Sequence, residues 1–251
     1  MLIFENGGRT EISVEGRRIL HLLIHTLRNS VRMPVLLRSA QRPSSAVAWH
    51  RLVSQVCVMG SSKGMGFIAS DPKLLQQFCA STALRVWSRQ RYDRAYMAEL
   101  LEQYKATRFP NKAADTLRQM VETRTIVHKA EVVLLTGLSG QMPRDELRDT
   151  LIDRCRFFKL KSASDFMIST GLSDDVIALD VRIVGVLAKY LQYGRTAAQV
   201  QSSRKDYLSL EVALRSVCEE AGISLAKLDR LLFQFSAMNA LDYVLEFSTG
   251  N

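Results

Sequence analysis

Apolar and polar positions alternate with a helical period along most of this chain. Leu74, Leu75, Phe78 and Cys79 line one side of a run opened by Asp71-Pro72, a capping residue followed by a proline in the first turn. Residues 71–130 read as three helices, the chain is regularly helical from Ser44 onward, and 15–29 reads as an amphipathic helix carrying Ile19, Leu22, Leu23 and Leu27. Pro143-Arg144-Asp145-Glu146 starts a helix with acidic residues in its first turn. Ala163, Phe166 and Met167 define a short helix that Lys161 opens and Gly171 ends. After Asp180 the period resumes through Ile183, Val184, Leu187, Tyr190 and Leu191, so Asp180 is predicted to be an N-cap, and Gly194 is expected to stop that helix. A polar loop follows to Lys205. Two amphipathic helices then span 207–221 and 224–236, separated by Gly222 and with Ser224 as a cap. The predicted class is all-α.

Three parts are expected. Residues 1–45 form a basic extension, ending in an extended connector with Arg28, Arg32, Arg38 and Arg42 beside Pro34 and Pro43. A helical core covers 46–206, with a hairpin region at 157–184, and helices in 207–251 pack on that core.

Composition adds a partner. The 34 basic residues exceed the 25 acidic ones by nine, which favours a polyanion, nucleic acid first. No apolar run approaches the eighteen or so residues of a membrane span and no signal-peptide pattern is seen, so a cytoplasmic, intracellular protein without membrane contact is expected. Cys57, Cys79, Cys155 and Cys218 are dispersed, without the close spacing of an iron–sulfur site. His21, His25, His50 and His128 make no H-E-x-x-H. Neither a metal nor a cofactor is expected. The run Gly60-Ser-Ser-Lys-Gly64-Met-Gly66 fits the phosphate turn of short-chain dehydrogenases, but no tyrosine is followed by lysine four residues on, and alternating strands are missing.

A lysine opening one helix and a carboxylate opening the next, nineteen residues later, suit amine-based excision chemistry. A neutral amine attacks an electrophilic carbon, and a carboxylate can orient it, take a proton and stabilise positive charge on a sugar. The plain alternative is a solvated surface lysine and a simple helix cap.

Further residues favour the chemistry. Lys161-Ser-Ala163-Ser164 with Leu179-Asp180-Val181-Arg182 resembles the catalytic region of the helix-hairpin-helix DNA glycosylases, most of all their archaeal-type 8-oxoguanine branch. Arg108-Phe109-Pro110-Asn111-Lys112-Ala113-Ala114 is similar to that branch's R-[FY]-P-N-x-[KR]-A segment, with Asn111 read as a cap, and Leu210-Glu211 through Leu228-Asp229 to its C-terminal helices. The likeness covers roughly 47–235. It implies a two-lobed helix-hairpin-helix fold with a DNA cleft between the lobes. It also implies Lys161 as Schiff-base nucleophile and Asp180 as the essential carboxylate, with Lys159 as rival amine. Gln55, Ser61, Ser62 and Phe233 would line the base pocket, and Lys159, Arg182, Arg108 and Lys112 would meet the DNA backbone.

Two departures stand out. Phe157-Phe158-Lys159-Leu160 replaces the glycines of the family's hairpin, and Phe233 stands where relatives carry tryptophan, with more chain after Met238. The expectation is a DNA glycosylase with AP lyase activity on double-stranded DNA holding a modified base, 8-oxoguanine among the candidates, and no obligatory protein partner. A catalytically idle DNA-binding protein of the same fold and a helical protein-interaction module remain the alternatives.

Overall fold

Asn6-Gly7-Gly8 gives the chain its first turn. Both glycines take left-handed backbone angles (φ 56° and 78°), as a tight hairpin requires. The computed structural model describes residues 1–30, 33 and 43–235. Strands β1 (Ile3–Asn6) and β2 (Arg9–Ile12) pair antiparallel around that turn, and α1 (Val14–Leu27) follows, capped by Ser13. Next come α2 (Ser45–Cys57), α3 (Lys63–Ser70), α4 (Pro72–Ser81), α5 (Leu84–Arg89), α6 (Arg94–Gln103) and α7 (Pro110–Glu122). A two-residue hairpin, β3 (Val127–His128) with β4 (Glu131–Val132), precedes α8 (Arg144–Arg154), and α9 (Leu160–Thr170) follows after five residues. The order closes with α10 (Val181–Leu191), α11 (Ala197–Ser202), α12 (Arg204–Glu220) and α13 (Leu225–Phe235). No described helix is long and apolar enough to cross a membrane.

The chain divides into two units, 1–36 with 160–251, and 37–159. In the first, Ile3, Ile12, Leu20 and Leu23 share one buried core with Ile183, Leu187, Tyr207, Leu214, Leu228 and Leu232. Thr10 donates its backbone N–H to Ser209 Oγ at 2.6 Å, and Arg17 pairs with Glu220, so the N-terminal hairpin and α1 are fastened onto α12. In the second unit the indoles of Trp49 and Trp87 lie 6.0 Å apart and are fully buried. Their N–H groups reach Thr82 O (2.8 Å) and Asp93 O (2.7 Å), which satisfies the one polar atom each ring brings inside.

Several expectations need correction. Residues 1–30 contribute core side chains rather than an extension, and the connector's Arg32, Pro34, Arg38 and Arg42 lie outside the described residues; the all-α class holds, with two short β-hairpins among the described residues. The units meet in sequence at 36/37 and 159/160 rather than at 46 and 207. Residues 71–130 hold four helices, and the loop before Lys205 contains α11. Asn111 does not cap α7: Phe109 occupies the N-cap and Pro110 the first turn. Helix α10 ends at Gln192, which takes the left-handed conformation itself (φ 55°), two residues before Gly194.

Candidate active site

Asp180 does what its sequence position predicts. Its Oδ1 accepts from the backbone N–H groups of Arg182 (2.9 Å) and Ile183 (3.0 Å), capping α10. Oδ2 has no hydrogen-bond partner among the described residues, so one oxygen anchors the helix and the other is left unengaged on a half-buried residue. Lys161 sits in the first turn of α9, half-buried, with neither ion pair nor hydrogen bond among the described residues. Lys159, the rival amine, is exposed at the end of the connector Cys155–Lys159. That connector turns without glycine: Phe158 N–H bonds to Cys155 O (2.8 Å), and the Phe158 ring is buried.

Two side-chain bridges link the lysine's helix to the segment that delivers Asp180. Ser164, one turn beyond Lys161, lies 3.5 Å from the hydroxyl of Tyr207, which donates to Ile177 O (2.6 Å) and accepts from Leu179 N (3.3 Å). Asp165 pairs with Arg230 (2.8 Å), Arg230 approaches Asp229 (3.3 Å), and Asp229 Oδ2 accepts from Ala178 N (2.7 Å). Sequence reasoning missed these partners of residues 177–179. Burial pushes the Asp229 carboxyl up to about 7, reinforced by the nearby Asp165 and Asp180 charges and opposed by Arg230 and the Ala178 N–H.

Arg182 lies with its guanidinium carbon 4.4 Å from the centroid of the Phe233 ring. A residue expected at the backbone and one expected at the base thus form a cation–π pair in the first unit. The remaining candidates belong to the second unit. Gln55 is buried in α2; Ser61 Oγ accepts from Lys63 N (3.3 Å) and Ser62 precedes α3. Arg108 and Lys112 are exposed, flanking Phe109, whose ring is half in solvent. A Cβ on Gly60 would come within 3.1 Å of that ring, and one on Gly64 within 2.2 Å of Lys105 O. The two glycines therefore let the Ser61-Ser62 turn and the Arg108 segment lie side by side. Gly64 and Gly66 sit in helix α3, so they are not a phosphate-binding turn.

This succession of helices is the fold of the helix-hairpin-helix DNA glycosylases. The protein is similar to the 8-oxoguanine DNA glycosylase of Thermotoga maritima (TM-score 0.59, 21% identity, 87% of this chain and 94% of the other). It is also similar to the 8-oxoguanine glycosylase/lyase of Methanocaldococcus jannaschii, whose structure holds a 15mer DNA containing 8-oxoguanine (TM-score 0.54, 16% identity, 87% of each chain). At these identities the likeness carries the fold. The family model for 8-oxoguanine DNA glycosylases of the helix-hairpin-helix type matches residues 78–223, more than half of the chain, and the chain belongs to that family. An 8-oxoguanine DNA glycosylase/AP lyase of Thermoplasma volcanium is 32% identical over 112 residues, 45% of this chain and half the length of that relative. The family match includes Lys161, Asp180, Arg182, Lys159, Arg108 and Lys112; Gln55, Ser61, Ser62 and Phe233 fall outside it.

Proposed function

We propose that the protein is a DNA glycosylase with AP lyase activity that removes an oxidised or otherwise modified base from duplex DNA through Lys161. The observation that carries this reading is the half-buried amine of Lys161, unpartnered among the described residues, on a helix bridged by Tyr207 and by Arg230 to the segment ending in Asp180. The target nucleotide must leave the stack, because its C1′ is out of reach inside the duplex. The Lys161 nitrogen bonds to C1′ as the bond to the base breaks, and the base departs with a proton. Asp180 orients the amine, accepts its proton and stabilises the cationic sugar. Asp180 returns that proton to O4′ as the C1′–O4′ bond breaks, and the ring-opened imine then loses a C2′ proton and expels the 3′ phosphate by β-elimination.

8-Oxoguanine is the first base to test, since the name of each relative carries it. Gln55, Ser61, Ser62 and Phe233 are assigned to the base, and Lys159, Arg182, Arg108 and Lys112 to the phosphates. Borohydride should trap a covalent protein–DNA adduct on an abasic or 8-oxoguanine duplex, and Lys161→Gln should abolish it. Adduct that persists in Lys161→Gln and disappears in Lys159→Gln moves the nucleophile to Lys159; no adduct on any duplex refutes the lyase reading.

A further inference from the structure

The segment leading into Asp180 is neither helix nor strand, yet Val176, Ile177, Ala178 and Leu179 are buried (0, 0, 4 and 0% exposed). Buried backbone must find partners, and irregular backbone cannot supply its own. Here side chains from three later helices provide them. Ile177 N donates to Glu211 Oε2 (3.3 Å), Ala178 N to Asp229 Oδ2 (2.7 Å) and Leu179 N to the Tyr207 hydroxyl (3.3 Å). Tyr207 passes its own hydrogen to Ile177 O (2.6 Å), and Gln201 Nε2 donates to Leu179 O (2.8 Å). Arg215 holds the preceding residue through the Asp175 carboxylate (2.6 Å) and carbonyl (3.2 Å) while approaching Glu211 (3.4 Å). Tyr207, Glu211 and Asp229 are at most 1% exposed. Burying two carboxylates is costly unless they are fully engaged, so a loop that only had to close the chain would do better without them.

We propose that Asp229, Glu211 and Tyr207 are positioning residues for Asp180. They hold residues 177–179 in one path, and Asp229 also ties that path, through Arg230 and Asp165, to the helix bearing Lys161. The inference rests on the proposed role of Lys161 and Asp180, and none of the three touches the substrate. Asp229 has a second effect, through charge. The groups facing it are Arg230 on its own helix, Asp165 from α9, and Ala178 N–H and Asp180 from the segment it holds. Its carboxyl is pushed up to about 7, chiefly by burial. Ionisation adds negative charge near Asp180, where the sugar becomes cationic, and the chemical step should quicken as it occurs.

Single-turnover cleavage of an abasic duplex by the full chain, measured across pH with duplex affinity in parallel, tests this. Asp229→Ala and Tyr207→Phe should each slow the step at saturating DNA by about tenfold while affinity changes less than about threefold. Asp229→Asn keeps an amide oxygen for Ala178 N–H; it should recover most of the rate at low pH and lose the inflection near neutrality. Losses that appear in affinity rather than rate, or an unaltered inflection in Asp229→Asn, overturn the proposal. If the wild-type chain cleaves no duplex, the Lys161 reading fails by itself, and amide exchange in residues 175–181 then decides the clamp. Exchange about tenfold faster in Tyr207→Phe and Asp229→Ala supports it, and unchanged exchange overturns it.

Discussion

Asp229→Asn should make the protein's stability less dependent on pH, in a direction opposite to the usual acid denaturation. The carboxyl is fully buried and pushed from an ordinary 3.8 to about 7. Between those values the native state keeps a proton that the unfolded chain has released. Stability rises with pH only where the unfolded state binds more protons, so here it falls. The contribution is fully present below about 4 and is lost as pH climbs through about 7. A span of roughly three pH units at 1.36 kcal/mol each sets the loss at about 4 kcal/mol, an order-of-magnitude figure. Asparagine does not titrate, although its amide meets Arg230 less well than a carboxylate does. The offset between the variants at one pH is therefore uninformative, and the change in that offset with pH carries the test. Urea unfolding of both proteins at half-unit steps from pH 4 to 8 should show wild type losing about 4 kcal/mol relative to Asp229→Asn. A difference constant to within about 1 kcal/mol would mean that Arg230 and Ala178 N–H keep Asp229 ionised throughout, and would refute the reasoning.

Other predictions follow from single contacts. Gly64→Ala should cost about 1–3 kcal/mol in urea unfolding, because its Cβ would meet Lys105 O at 2.2 Å; Gly66→Ala, in the same helix with nothing within 4 Å, should be neutral or stabilising by up to about 1 kcal/mol. Duplex affinity should fall with salt at a log–log slope of about −4 if Lys159, Arg182, Arg108 and Lys112 each neutralise one phosphate, and Arg108→Ala should flatten it by about one. A zero slope would favour a protein-interaction module. Phe233→Ala should slow base excision about tenfold or more while leaving abasic-site cleavage unchanged, since only the first needs a stacking surface; equal loss in both would remove Phe233 from the base site.

What was legible in the sequence was local. Asp180 could be recognised as a cap because the capping residue and the apolar period it starts lie within a few positions, and Gly171 and Gly222 end their helices with positive φ. The first hairpin also had a local signal, Asn6-Gly7-Gly8 between residues of β character, which a helical reading of the N-terminus passed over. The end of α10 had none, because Gln192 is an uncommon left-handed residue and the nearby Gly194 was a better guess on composition.

The clamp on Asp180 was hidden for a different reason. Its members lie 28 to 51 residues from the backbone they hold, and each reads as an ordinary polar position on an amphipathic helix. Yet Glu211 falls four residues after buried Tyr207 and three before buried Leu214, and Asp229 falls four after Leu225 and three before Leu232. Each carboxylate therefore stands within the apolar stripe, where a helix that only packed would carry leucine. A charged residue at such a position must face a partner from elsewhere in the fold, and here the partner is backbone that no strand or helix satisfies. The proposed pair, Lys161 and Asp180, stood out because that chemistry restricts residue types at two points, whereas the proposed clamp could be recognised only as two exceptions to helical periodicity.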